Sequence, residues 1–323
     1  MTREPIMTKD RYRIYSQHLQ EKYGERVYKL PVNLPGTCPN RDGTIGKGGC
    51  TFCDAQGAGF QCLPSTLSIE RQIAENKAFY KKRFSVNKFI VYFQAYTNTY
   101  MPLDYFKSCI MAATKDPDLV GIAISTRPDC INEEYLDFLK EVEQTKNLEI
   151  NIELGLQTVN YHTLGQVNRG HTLAEFIDAM LRIKKRGFAT VAHIILNLPG
   201  DTMVDVIENA KILSALGVDY VKLHSLYIVT GTVLGRQYEE GKFSMITLEE
   251  YIDRVVTFLE YLDPRIVVQR LVGKGPQGDL LFCNWDTSWW IIKESIEEML
   301  EKKDTEQGRM FNYLNGKALK KSW

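Results

Sequence analysis

Six short apolar runs, at 29–34, 88–96, 120–125, 148–156, 189–198 and 220–226, alternate with amphipathic stretches along most of this 323-residue chain. That spacing limits the fold to repeated strand–helix units. Several of the runs are apolar throughout, as expected of parallel strands buried on both faces. The helices between them carry start and stop signals. Thr172-Leu173-Ala174-Glu175 is a capping box, and Leu173, Phe176, Ile177 and Met180 form a helical stripe that ends before Gly187. Asp201-Thr202 opens a helix running to Gly217, Asn132 caps 133–144, and Thr247 begins a helix stopped by Asp263-Pro264. Six units are too few to close an eight-stranded barrel, which leaves an open, partial (β/α)6 TIM-like barrel or a doubly wound sheet. Polar residues favour the barrel, because they gather where the strands end: Gln94, Ser125-Thr126-Arg127, Glu153 with Gln157, Asn197 and His224-Ser225. The predicted organisation is a short N-terminal extension (1–28), a barrel core (29–275) and a helical C-terminal extension (276–323).

After the first run the chain changes character, with Pro35-Gly36-Thr37-Cys38-Pro39-Asn40-Arg41-Asp42-Gly43 followed by Gly48-Gly49-Cys50-Thr51-Phe52-Cys53. Three thiolates can hold three irons of a cubic 4Fe-4S cluster and leave the fourth open to a ligand, whereas an electron-transfer cluster normally takes four cysteines. The glycines between Cys38 and Cys50 let the backbone fold closely around a bulky inorganic group. Zinc is the competing metal, but a structural zinc site wants a second cysteine pair or two histidines. Cys62, Cys109, Cys130 and Cys283 are dispersed, and none of His18, His162, His171, His193 and His224 adjoins another. Spacing alone leaves both metals open.

The 40 basic and 40 acidic residues cancel, so no global field draws the protein to nucleic acid or anionic lipid. With 44% hydrophobic residues the chain can bury the core of an ordinary globular enzyme. The N-terminus carries no apolar secretory segment and no apolar stretch reaches bilayer length, which predicts a cytoplasmic protein without a membrane partner. In that reducing compartment the clustered cysteines suggest a metal rather than disulfides.

Individual residues extend the pattern. Phe52 can stack on a purine or pack in the core. Arg127, before Pro128-Asp129, can bind a carboxylate through its fork or make a structural ion pair. Glu153 sits within an apolar strand, where an unpaired charge would be costly, so it requires a ligand or a nearby cation. Asn168-Arg169-Gly170-His171-Thr172 brings a cation and an imidazole to a helix start, and Leu198-Pro199-Gly200-Asp201-Thr202 resembles a cofactor-cradling turn. Lys222 and His224 share one face of the last strand. Tyr80-Lys81-Lys82-Arg83, the stretch from Arg182 to Arg186, and Lys317-Ala318-Leu319-Lys320-Lys321 can meet phosphates or serve as solvated helix ends. Trp285, Trp289 and Trp290 read first as core aromatics and otherwise as a cover or partner surface. Cys283 reads first as an inert buried thiol and otherwise as a donor of a proton or hydrogen atom.

Together these motifs resemble the radical S-adenosylmethionine (SAM) superfamily, whose cysteines take the form Cys-x-x-x-Cys-x-aromatic-Cys. The expanded first gap resembles the branch that includes the radical-SAM half of the Elongator catalytic subunit. Further matches are Ser125-Thr126-Arg127-Pro128-Asp129, Glu153-Leu154-Gly155-Leu156-Gln157-Thr158, Asn168-Arg169-Gly170-His171-Thr172, Leu198-Pro199-Gly200-Asp201-Thr202 and Gly231-Thr232-Val233-Leu234. Cys38-Pro39-Asn40-Arg41-Asp42-Gly43 and Phe93-Gln94-Ala95-Tyr96-Thr97-Asn98-Thr99-Tyr100 look like the YhcC/YtqA-type family. The resemblance implies a 4Fe-4S cluster on Cys38, Cys50 and Cys53, with SAM on its open iron and reductive cleavage to methionine and a 5'-deoxyadenosyl radical. It places Phe52 on adenine and Gln94, Arg127, Glu153, Gln157 and Arg169 around the rest of SAM. The implied substrate is the wobble uridine of tRNA, at a carboxymethylaminomethyl side chain. Implied partners are an electron donor such as flavodoxin or ferredoxin and a downstream methyltransferase. A radical enzyme acting on a small molecule, and a zinc-stabilised RNA-binding protein without catalysis, are the alternatives.

Overall fold

The computed structural model describes residues 10–319 apart from 55, 56, 58, 277 and 279. Its first half runs α1 (Tyr15–Tyr23), β1 (Val27–Val32), α2 (Pro39–Asp42), α3 (Ile69–Phe84), β2 (Lys88–Phe93), α4 (Leu103–Ala113), β3 (Leu119–Thr126), α5 (Glu133–Lys146) and β4 (Glu149–Gln157). Then come α6 (Tyr161–Gln166), α7 (Leu173–Lys185), β5 (Ala189–Ile195), α8 (Met203–Leu216), β6 (Tyr220–His224), β7 (Ile228–Val229), α9 (Val233–Glu239), α10 (Leu248–Tyr261), β8 (Val267–Arg270), β9 (Leu280–Phe282) and α11 (Trp289–Lys302). The expected caps are present: Thr172 makes a full capping box, and Asn132 and Thr247 accept from Tyr135 and Glu250.

Seven parallel strands form one sheet in the order β1-β2-β3-β4-β5-β6-β8, and β7 pairs with β9 in a separate antiparallel ribbon. β1 and β8 are the two edges and do not pair, so the barrel is partial and open along that seam. All six predicted strands are present. The seventh, β8, is only four residues long and follows the Asp263-Pro264 stop, too short a run to register as a unit of its own.

Strand alternation sorts the side chains into two sets. Phe89, Val91, Phe93, Ile122, Ile124 and Ile152 pack outward against the helices in the main core. Inward positions build layers. At the bottom, Ile90 and Ala123 meet Leu19 of α1, and Val191, Tyr220 and Val267 meet Tyr15. The middle layer is ionic and the top layer forms the active-site wall described below.

The predicted N-terminal extension is therefore structural. α1 packs against both β1 and β8, and Ile14 bridges to Val268, whose amide donates to the Arg13 carbonyl at 2.8 Å. The Tyr15 ring meets Tyr220 edge-on at 5.5 Å. Helix α1 thus seals the lower part of a seam that backbone pairing leaves open. At the other terminus α11 packs on α10 and adds Ile292, Ile296 and Leu300 to the main core. Trp285 packs against Tyr251 with ring centres 5.0 Å apart, as a core aromatic should. Trp289 and Trp290 do not share that role, for they stay 40% and 49% exposed. Among the described residues no helix is long and apolar enough to cross a membrane.

Truncating Leu19, 3% exposed at the bottom of the barrel, leaves a cavity that the surrounding strands cannot collapse into. Leu19→Ala is expected to cost about 2–5 kcal/mol in urea-induced unfolding. An effect below ~1 kcal/mol would show that α1 is only an appendage.

Candidate active site

The cysteine segment is held by its own turns and by the segment it docks on. Cys38 precedes Pro39 at the first position of α2, and the Cys53 amide closes a turn onto the Cys50 carbonyl at 2.9 Å. The Thr51 amide donates to the Val167 carbonyl and the Leu234 amide to the Thr51 carbonyl, each at 2.9 Å. Asn168 Nδ2 donates to the Gly49 carbonyl at 2.8 Å, while Asn40 Nδ2 donates to the Asn168 carbonyl. Gly170 is required here: its φ is +74°, and a Cβ would stand 2.6 Å from Asn40 Oδ1.

Each of the three sulfurs faces an N–H donor. Arg127 Nη1 lies 4.0 Å from Cys38 Sγ, Arg169 Nη1 3.5 Å and Asn40 Nδ2 3.7 Å from Cys50 Sγ, and Arg41 Nη1 3.4 Å from Cys53 Sγ. Donors of this kind stabilise thiolate and cluster charge and tune a cluster's potential. Burial, reinforced by Cys50, pushes the metal-free Cys53 thiol up to about 12, so loading a metal there must displace its proton.

All three cysteines line one cavity, and Phe52, Gln94, Arg127, Gln157 and Arg169 line it too. Five of the six predicted cofactor contacts are thus brought together. Phe52 reaches it while packing against the small apolar cluster of Val167, Ile195, Leu198 and Leu226. Arg127 gives its fork to Asp129, with Nε to Oδ1 at 2.9 Å and Nη2 to Oδ2 at 2.6 Å, which leaves Nη1 for Cys38 and the Arg169 carbonyl. Gln157 holds φ at +80° beside a register shift between Gly155 and Gln157. That uncommon backbone conformation for a non-glycine residue sits in the cavity wall, where such strain concentrates.

Glu153 is the sixth, and the structure sets it apart from the other five. It does not line this cavity but lies one inward step below Gly155, with no exposed surface. Its carboxylate is ion-paired to Lys29 and to Lys222 at 2.6 Å, and it accepts a hydrogen bond from His193 Nε2 at 2.7 Å. Burial opposes the charge, but Lys222, Lys29 and His193 outweigh it and hold the carboxyl well below the usual range. His193 itself is pushed down to about 4, by burial first and then by Lys222. His171 lies just outside the cavity wall: its Nε2 is 3.2 Å from the Gly155 carbonyl, and burial with Arg169 nearby drives it down to about 2. The turn at Gly200 stands against Thr163 and Gln166, outside the cavity wall.

The donor set fits a cluster with a ligand on it. Arg169 Nε is buried without a partner among the described residues. A Cβ on Gly155 would stand 2.8 Å from Arg169 Nη2 and 2.9 Å from Gln157 Nε2 and would displace these two side chains in the cavity wall. Among the described residues no three His, Cys, Asp or Glu side chains gather closely enough for a single metal ion. A lone zinc would draw its thiolates to roughly 4 Å from one another, whereas a cube seats each on a separate iron. Arg41, Asn40, His193 and Tyr227 were not singled out from sequence; for His193, its strand parity with Glu153 and Lys222 was the available signal.

Comparison with known proteins agrees with this geometry. The pattern of the Radical SAM superfamily matches residues 34–213, and that of the Radical_SAM C-terminal domain matches residues 218–302. YtqA of Bacillus subtilis, an uncharacterized protein, is 34% identical over 307 residues, covering 95% of each chain. The tRNA uridine(34) acetyltransferase of Methanocaldococcus jannaschii is 26% identical over 161 residues, 48% of this chain and 28% of that protein. The structure of an archaeal Elp3, from Methanocaldococcus infernus with its N-terminus deleted, superimposes with a TM-score of 0.67 at 17% identity, over 87% of this chain and 64% of that one.

Two substitutions separate the wall from the layer beneath it. Glu153→Gln is expected to lower the unfolding free energy by about 3–5 kcal/mol while SAM affinity, read by equilibrium dialysis, stays within about threefold. Gly155→Ala should weaken SAM binding at least about tenfold at unchanged iron content. The reverse pattern would return Glu153 to the cofactor site. The matched patterns cover most of the chain and the three cysteines line the cavity they predict: this protein belongs to the radical SAM superfamily of enzymes, whose cofactors are a 4Fe-4S cluster and S-adenosylmethionine.

Proposed function

We propose that the protein remodels the side chain of the wobble uridine of tRNA, converting a carboxymethylaminomethyl group to the aminomethyl type. The observation that carries the chemistry is the trio of cysteines, each faced by an N–H donor, in the wall of a cavity that continues into the barrel. The partial similarity to a tRNA uridine(34) acetyltransferase supports the choice of substrate. Bound together, cluster and SAM supply a 5'-deoxyadenosyl radical able to take a hydrogen atom from an unactivated carbon.

The chain's own residues do the rest. Cys38, Cys50 and Cys53 would hold the cluster, with Arg127, Arg169, Asn40 and Arg41 steadying the charge on their sulfurs. Phe52, Gln94, Gln157 and Arg169 would orient SAM, and the apolar cluster behind Phe52 keeps water from that side. Reduction would come from a donor such as flavodoxin or ferredoxin, and a downstream methyltransferase would take the exposed amine. The compartment we assign is the cytoplasm.

One finding favours a second reading, radical chemistry on a small molecule. Two of the basic stretches expected to meet phosphates are engaged elsewhere: Arg182 pairs with Asp178, Arg186 with Glu133 and Asp137, and Lys81 with Asp118. In the third, Lys320 and Lys321 lie outside the described residues.

Anaerobically reconstituted protein should hold about four irons and release 5'-deoxyadenosine when reduced with dithionite, and Cys38→Ala should do neither. Nucleosides from tRNA of cells lacking the gene should show a changed balance of wobble-uridine species. Unchanged nucleosides alongside active SAM cleavage would transfer the assignment to a small molecule.

A further inference from the structure

A second cavity of about 360 Å³ adjoins the cofactor cavity and shares Gln94, Ser125, His193, His224 and Tyr227 with it. Its size falls in the range of small-ligand pockets, about 300–1,000 Å³. It is walled by both edges of the open barrel, Lys29 of β1 and Arg270 of β8, and so lies along the seam.

The charge in this cavity is lopsided. Lys29, Lys222, Arg270 and Lys274 line it, and the carboxylate closest to them, Glu153, is already shared by Lys29 and Lys222. Among the described residues neither Arg270 nor Lys274 has an ion-pair partner. Arg270 Nη2 lies against the His224 ring, nearer to Nδ1 than to Nε2 at 3.0 Å, and its Nε is buried without a partner among the described residues. His224 cannot supply the missing charge, since burial and Arg270 hold it neutral, well below the ordinary imidazole value. Burial also depresses Arg270, and it lowers Lys222 against the pull of Glu153, with Lys29 and Arg270 adding to the effect. A cluster of cations in this state is stabilised by an anion from outside.

The backbone directs this guanidinium inward. Along β8, Val267 faces the barrel interior and Val268 the outer core, so simple alternation would turn Arg270 outward with Val268. A register shift intervenes: Val221 pairs with Val268, but Lys222 pairs with Arg270, leaving Gln269 as the extra residue. Bulges re-aim side chains beside active sites in this way. Gln269 accepts from Lys29 at 3.0 Å, so both residues reach the interior.

We propose that this cavity is the receptor for a carboxylate on the substrate, with Arg270 as its anchor and Lys274 at its mouth. The planar fork of Arg270 suits a carboxylate bidentately, and aromatic Tyr92 and Tyr227 flank it as a nucleobase would require. Lys274 lies 4.7 Å over the ring of the exposed Trp289, which places a second aromatic platform at the entrance. This assignment rests on the reading that radical chemistry takes place next to the cofactor cavity, and it names the group by which the substrate is held there. A phosphate would present the same negative charge, so the test includes one.

The experiment uses reconstituted holoenzyme with SAM and measures binding by equilibrium dialysis. Two acid–ester pairs serve as probes, carboxymethylaminomethyluridine with its methyl ester and N-benzylglycine with its methyl ester, and inorganic phosphate is the competitor. Each acid should bind at least about tenfold more tightly than its ester, and Arg270→Gln at matched iron content should abolish that preference, with Arg270→Lys recovering part of it. Lys274→Ala, at an exposed position that does not endanger folding, should reduce the preference about threefold. Acid preference for N-benzylglycine alone would uphold the receptor and overturn the uridine reading. Equal binding of acid and ester in both pairs, or displacement by phosphate at equal concentration, would overturn the carboxylate receptor whatever the tRNA nucleosides show.

Discussion

A carboxylate with no access to water holds the barrel together across its lumen. Glu153 of β4 pairs with Lys29 on the first edge strand and with Lys222 of β6, and Lys29 in turn donates to Gln269 on the other edge. No backbone ladder joins those edges. The strands that an open barrel leaves unconnected are connected instead by ions, in a setting where removing one partner would leave the other charged and dry. The cofactor wall, with Gly155 and Gln157, stands directly on this layer.

Polarity is graded from one end of the barrel to the other. Leu19, Ile90 and Val191 make a dry floor, Glu153 and its cations make an ionic tier, and the cysteines, arginines and glutamines make the rim. Inward residues two apart on one strand therefore do different work. Glu153 holds the scaffold together, while Gly155 leaves room and Gln157 enters the cavity under backbone strain. Function is separated from stability by a rise of one strand step.

Much of this was legible in the amino-acid sequence. Buried parallel strands read as continuous apolar runs, so β1 to β6 were found within a few residues of their ends, and the cysteine spacing picked out three residues that line one cavity. Long-range pairing was not legible. The cations that neutralise Glu153 lie 124 and 69 residues away, and nothing local distinguishes a carboxylate awaiting a ligand from one already matched. Arg127 had its partner two residues on, at Asp129, and both of its readings could be stated in advance. β8 escaped because four residues give no period to count, and the inward turn of Arg270 because a bulge shows itself only in the register. Trp289 and Trp290 were expected inside, yet both stay exposed in the first turn of α11, Trp289 under Lys274 although it shares a helical face with the buried Ile292, Ile296 and Leu300.

The seal that α1 makes along the seam is one of side chains and a single bridge, not a continuous ladder. Parting two hydrogen-bonded strands exposes a row of amides and carbonyls, whereas sliding a helix off a groove exposes only the rings and methyls it covered. The upper seam, where α1 does not reach, can thus spread and reclose without the sheet losing any of its internal pairing. The second cavity lies along that seam, so edge strands that would be a liability elsewhere serve as its walls.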